Sequence, residues 1–162
     1  MLMRVNDDRK KPFGKLLREH GVILEWIAKS RIEIDAARLI VLNAAVKMDE
    51  HGPKKALTEI AEAKVLIPQT ALTVIDRAVQ SFGGAGVCQD TPLANMWAGI
   101  RTLRLADGPD EVHLQQMGRN ENKRGKQAAD KIKWQQDKTA KLMAQYKTKS
   151  VQPGARIKHS KI

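Results

Sequence analysis

The pattern that most constrains this chain is the spacing of its apolar residues, which recur at helical intervals over long stretches interrupted only where Gly and Pro gather. From Leu16 to about Met48, residues such as Ile23, Ile27, Ala36, Ile40 and Ala44 mark one face of a long helix. The run Asp49-Glu50-His51-Gly52-Pro53 ends it with the chemistry of a helix–helix connection. A second helix is expected from about Lys54 to Phe82. Its interior Pro68 removes one backbone donor and predicts a kink, not a break, because Ile67 and Leu72 continue the apolar stripe. Gly83, Gly84, Ala85 and Gly86 then close the helix with residues small enough for a backbone or a ligand to approach. A shorter helix should follow from Leu93 to about Leu103, and a turn at Ala106-Asp107-Gly108-Pro109. The last helix begins near Asp110, with Pro109 in its first turn and Asp110 and Glu111 at its positive end, and reaches to about Tyr146. Three long helices and one short one predict an all-α, antiparallel four-helix bundle over residues 1–124, with a basic helical or disordered extension over 125–162.

Composition supports a helical fold: 42% of the residues are hydrophobic but only 4% aromatic, the reverse of what a strand-rich sandwich needs. Charges interrupt every apolar run, so no window reaches the roughly 20 apolar residues of a membrane span. The first ten residues lack the apolar core of a secretory signal; Leu2, Met3 and Val5 read as the end of a helix begun upstream, as in a fragment of a longer chain. Cys88 stands alone, excluding an internal disulfide and a cysteine zinc site. His20, His51, His113 and His159 are too dispersed for a metal spacing, so no metal is assigned. Walker, dinucleotide Gly-x-Gly-x-x-Gly and Gly-x-Ser-x-Gly motifs are absent, which removes the NTPase and hydrolase readings.

The net charge of +11 is unevenly placed. Residues 1–117 carry 16 basic and 15 acidic side chains, and 118–162 carry 13 and 3. A neutral body with a basic tail is not the footprint of a nucleic-acid-binding domain, although a nucleic-acid contact through the tail alone stays open as an alternative.

Three segments carry a family resemblance: Phe13-Gly14-Lys15 with Glu19-His20 downstream, Ala78 to Val87, and Leu103-Arg104-Leu105-Ala106-Asp107-Gly108-Pro109-Asp110-Glu111-Val112-His113. Their order and spacing resemble the C-terminal domain of acyl-CoA dehydrogenases over residues 9–121. The third is similar to the branch often fused to a phosphotransferase-like kinase domain. The resemblance implies FAD-dependent α,β-dehydrogenation of an acyl-CoA thioester in fatty-acid oxidation, incomplete without the N-terminal and β-domains of a larger chain. Asp107 then matches the base that removes the α-proton, standing where glutamate is commoner. A carboxylate suits that task when an apolar substrate excludes water from it.

Gly108 matches the substrate-contacting glycine. Pro109, Asp110 and Glu111 match positions beside the flavin, with proline in place of a threonine hydroxyl and backbone donor. Gln80, Gly83 and Gly84 match a stretch that contacts the adenosine diphosphate part of FAD held by a neighbouring subunit. Arg9 or Lys10 takes the place of an arginine near the FAD phosphates, and Phe13 and His20 match FAD-adjacent positions. The implied partners are acyl-CoA, a homodimer or homotetramer sharing FAD contacts, and an electron acceptor; neither nucleic acid nor a membrane span is expected. The same residues also suit plainer roles, Asp107 as a turn residue and Pro109 to Glu111 as a helix start. A noncatalytic helical oligomerisation module is therefore an alternative of a different class. The terminal Ser160-Lys161-Ile162 resembles the peroxisomal Ser-Lys-Leu address, with mitochondrial residence the rival.

Overall fold

The computed structural model describes residues 1–147. It contains a four-residue helix α1 (Leu2–Val5), two single 3-10 turns (Pro12–Gly14 and Leu17–Glu19), and the long helices α2 (Gly21–His51) and α3 (Leu57–Phe82). A helical turn α4 (Gly84–Val87), a shorter helix α5 (Leu93–Thr102) and the long α6 (Asp110–Tyr146) follow. No strand occurs among the described residues, so the fold is all-α as expected. The chain divides into two compact units, Met1–Asn120 and Glu121–Ile162.

The first unit is built around α3. Its buried residues Ala61, Val65, Pro68, Leu72, Ile75 and Ala78 fall at intervals of three and four, the spacing of one continuous inward face. Helix α2 meets that face with Ile23, Ser30, Ala37 and Ala44, each seven residues from the last. Three of the four are small, which lets the two backbones lie close. The direction is antiparallel: near the start of α2, Ser30 and Glu33 pair with Arg77 near the end of α3. Helix α6 also runs antiparallel to α3, since Asp110 meets Gln69 at 3.2 Å and Asn120 meets Thr58 at 3.3 Å.

The helix boundaries depart from the sequence expectation at two starts. The first long helix begins at Gly21, not Leu16, because the Glu19 carboxylate accepts the Leu16 N–H at 3.1 Å and closes a separate 3-10 turn. His20, with φ −87° and ψ 127°, then restarts the chain. The second begins at Leu57, not Lys54, because Lys55 and Ala56 donate back to the Gly52 carbonyl in a turn that seats Ala56 fully out of solvent. Pro68 lies inside an unbroken α3.

The small-residue run after α3 ends the helix as expected, at Gly83 with φ 63°. It then coils once more as α4, which the sequence reading did not separate. A Cβ on Gly86 would collide with the Val79 backbone, so glycine is what allows α4 to lie against α3. In the second unit, residues 121–142 are all exposed and helical. Trp134 is 59% exposed there, with the Lys138 ammonium 5.0 Å from its ring centre.

Candidate active site

The turn between α5 and α6 presents Asp107. Helix α5 ends as Leu103, Arg104 and Leu105 donate to carbonyls three residues back. Asp107 and Gly108 then take positive φ, 55° and 98°, which reverses the chain into α6. Aspartate and glycine are among the residues that accept this left-handed region most readily. The Asp107 side chain is exposed, whereas Gly108 and Pro109 are half-buried and Glu111 is exposed. His113, one turn into α6, places its Nε2 3.3 Å from the Asp107 carbonyl. A Cβ on Gly108 would come within 3.0 Å of that same nitrogen. Gly108 is therefore tied to this turn by both its φ and its neighbour.

Beneath the turn lies a second carboxylate with a different task. Asp110 is only 4% exposed, and its Oδ2 accepts from Arg104 Nε at 2.6 Å and Gln69 Nε2 at 3.2 Å. Burial alone would push this carboxyl up. The hydrogen bonds from Arg104 and Gln69, with the positive charges of Arg104 and Lys64, outweigh burial and hold it below its usual range. The Asp110 N–H also returns to the Arg104 carbonyl at 3.3 Å, and Lys64 donates to the Leu103 carbonyl. The turn is thus clamped from α3 by Lys64 and Gln69 and across its own base by Arg104. Asp110, which the resemblance places beside a flavin, has its carboxylate directed into this clamp.

A second site forms at the C-terminal end of α3. There the loop after α1 meets the Gln80–Gly83 segment and encloses an open cleft of about 400 Å³. Arg4, Arg9, Lys10, Lys11, Gln80 and Gly83 contribute to its walls, and no carboxylate does. Two segments about 70 residues apart in sequence are therefore brought to one place, and both had been singled out for the same phosphate-bearing ligand. Gly84, also singled out, is exposed at the start of α4. Phe13 and His20 stay outside the cleft walls: Phe13, 97% exposed with φ 55°, stands edge-on to His20 at 6.5 Å. His20 Nε2 lies 3.3 Å from the Pro12 carbonyl. Arg4 had no motif to mark it, and only its approach to Phe82, 78 residues away, places it here.

Residues 7–121 match the family model described as the acyl-CoA dehydrogenase C-terminal domain. The chain belongs to the acyl-CoA dehydrogenase family. The rat acyl-CoA dehydrogenase family member 11 (Rattus norvegicus) is 55% identical over 113 residues, covering 70% of this chain and 14% of that protein. The chicken (Gallus gallus) protein of the same description is 53% identical, again with 14% of its length covered. The chain thus spans about a seventh of these curated relatives. Among solved structures, a candidate acyl-CoA dehydrogenase of Mycobacterium abscessus superimposes with a TM-score of 0.72 at 45% identity, over 76% of this chain and 30% of that one. Butyryl-CoA dehydrogenase of Megasphaera elsdenii superimposes with a TM-score of 0.66 at 30% identity, over 72% and 30%. The family match covers the clamped turn and every wall residue of the cation cleft except Arg4, and it ends at residue 121, one residue past the end of the first compact unit.

Proposed function

We propose that this chain is the C-terminal helical part of a FAD-dependent acyl-CoA dehydrogenase, in which Asp107 is the base that removes the α-proton of an acyl thioester. The observation that carries the reading is the contrast inside one turn. Asp110 is consumed by Arg104 and Gln69, while Asp107 is held exposed at a fixed positive φ with no side-chain partner among the described residues. A carboxylate so positioned accepts a proton from an approaching carbon acid without first breaking an ion pair. Gly108 leaves the adjoining backbone bare, so that a thioester can lie against it. The Arg104–Asp110 clamp keeps the base in place, which matters because small misplacements of a reacting group cost large factors in rate.

The chain's own residues also fit the cofactor. A cleft walled by four cations and no carboxylate suits a diphosphate, and Gly83 and Gln80 add close backbone approach and an amide. Lys10, Gln80 and Gly83 would hold that part of FAD, whose chemistry is to accept the two electrons of the dehydrogenation. In this reading the cleft serves a cofactor shared across a subunit interface, while Asp107 serves the chain's own substrate. The acyl-CoA substrate belongs to fatty-acid oxidation. Ser160-Lys161-Ile162, outside the described residues, would direct the protein to the peroxisome, with the mitochondrion as the rival compartment.

One observation favours a role in association as well. Helix α2 buries Ile23, Ala37 and Ala44 but exposes Ile32 (68%), Leu39 (67%) and Val46 (49%), again seven residues apart. A helix apolar on two faces is one that something covers. A homodimer or homotetramer seated on this face fits, and an oligomerisation module without catalysis is the second reading.

The test is flavin content and acyl-CoA-dependent bleaching of the full-length parent protein, wild type and Asp107→Asn. The expected result is equal FAD content with bleaching lost in the variant by at least about 100-fold, the scale of a missing general base. Bleaching at the wild-type rate would remove Asp107 from the role. A flavin-free, inert parent protein that still forms a discrete oligomer would favour the association reading.

A further inference from the structure

The cleft at the end of α3 has two arginines in its wall, and their surroundings differ. Arg9 is spent on Asp7. Its Nε and Nη2 reach the two Asp7 oxygens at 2.9 and 3.1 Å, and its backbone N–H adds a third bond at 3.1 Å. The Arg9 side-chain hydrogen bond first, and its backbone N–H next, bring the Asp7 carboxyl down to about 2, so the partner stays ionised at any ordinary pH. The Arg9 side chain is also 88% exposed, with no wall to orient it. Lys10 and Lys11 are exposed point charges on flexible stems.

Arg4 is placed otherwise. It sits on α1, next to Val5, which is fully buried and anchors that turn to the bundle. Its guanidinium lies over the Phe82 ring at 5.3 Å, and Nη2 makes one long hydrogen bond, 3.4 Å, to the Phe82 carbonyl. No carboxylate comes within ion-pair distance of it among the described residues, and its Nε is out of solvent with no partner. Arg4 also lines the adjoining cleft formed with Met3, Asp7, Arg9 and Phe82. It is therefore oriented by stacking and partly desolvated, and, although Asp7 is near enough for the two charges to interact, it is bound in no ion pair among the described residues. A planar fork in that state is matched to a phosphate, because binding then costs neither a broken ion pair nor much lost side-chain freedom.

We propose that Arg4, not Arg9, is the guanidinium of this chain that binds the diphosphate in the cleft. The inference rests on reading the cleft as a dinucleotide diphosphate site. It adds a residue to that site and removes one that the sequence pattern had offered. Asp7 acts as an internal anion that occupies Arg9.

The test titrates ADP into the 162-residue chain by calorimetry at low salt, with Arg4→Gln, Arg4→Lys and Arg9→Gln as variants and a circular-dichroism melt as control. Loss of a charge-assisted fork should weaken ADP binding about tenfold or more in Arg4→Gln, while Arg9→Gln should weaken it less than about threefold. Arg4→Lys keeps the charge and loses the fork, so it should fall between wild type and Arg4→Gln. Were Arg4→Gln to melt early, weaker binding by a fully folded Arg4→Lys than by Arg9→Gln would support the proposal. Wild-type affinity in Arg4→Gln, or a larger loss in Arg9→Gln than in either Arg4 variant, would overturn it and leave the diphosphate reading standing. A wild-type chain that binds no ADP would overturn the proposal, and a parent protein that also holds no FAD would overturn the diphosphate reading with it.

Discussion

The turn that carries Asp107 and the cleft at the end of α3 handle charge in opposite ways. In the turn, the one buried carboxylate, Asp110, is met by Arg104 and Gln69, and the exposed Asp107 owes its position to that satisfied pair. In the cleft, four cations gather without a carboxylate in the wall, and Asp7 beside it is bonded to one of them. The lesson is that a reactive group and a binding group need different support. A base needs rigid geometry, which a buried ion pair supplies at the cost of desolvation. An anion site needs uncompensated charge, which can survive only where solvent still reaches it.

If that contrast is right, the largest effect should come from Asp110→Ala, which strands Arg104 in a half-buried site. A loss of about 3–5 kcal/mol in urea-unfolding free energy is expected. A loss under about 1 kcal/mol would show that the turn does not depend on its clamp. The next effect is the pH dependence of the same pair. Asp110 is held below its ordinary range in the folded state, so its contribution is complete above the unfolded value of 3.8 and is lost as pH falls through the folded value. Acid unfolding followed by circular dichroism should therefore be shallower below pH 3.8 in Asp110→Asn than in wild type. A parallel pair of curves would break the assignment.

Smaller still is Lys64→Met, which removes a solvent-accessible donor to the Leu103 carbonyl and should cost about 1 kcal/mol in the same unfolding assay. On the other side of the contrast, Asp107→Asn should change stability by less than about 0.5 kcal/mol, since the side chain is exposed and asparagine tolerates positive φ equally well. Measured with Asp110→Ala, it sharpens the comparison: two carboxylates three residues apart, one holding the turn and one held by it. Trp134→Ala, at a residue 59% exposed, should leave the urea-unfolding free energy unchanged within about 0.5 kcal/mol.

Much of this was legible in residue order. The long helices were readable because α3 keeps its apolar residues at intervals of three and four, and Gly52-Pro53, Gly83 to Gly86 and Gly108-Pro109 mark where helices stop. The later start of α2 was not readable, since it depends on the Glu19 carboxylate reaching the Leu16 N–H, a choice between two local hydrogen-bond patterns of similar worth. The turn was legible as Ala106-Asp107-Gly108-Pro109, but its division of labour was not. Nothing in the run Asp107 to Glu111 says which of three acids faces inward, because that depends on Arg104 folding back and on Gln69 from another helix.

The sequence by itself determined the helical class, the breaks between helices, the placing of basic charge in the tail and the family to which the chain belongs, because periodicity, Gly and Pro chemistry and motif order are local properties of the chain. Tertiary structure alone decided that Asp110 is buried and Asp107 exposed, that Arg4 is stacked on Phe82, and that two segments about 70 residues apart share one cleft. The long-range outcomes depend on which side chain arrives from elsewhere in the chain, Gln69 at Asp110 and Phe82 at Arg4, whereas Arg9 is held by its near neighbour Asp7. Which side chain arrives is set by the packing of α2 and α5 on α3 and by the side-chain bonds from α3 to the first turns of α6, and is not encoded at any single position.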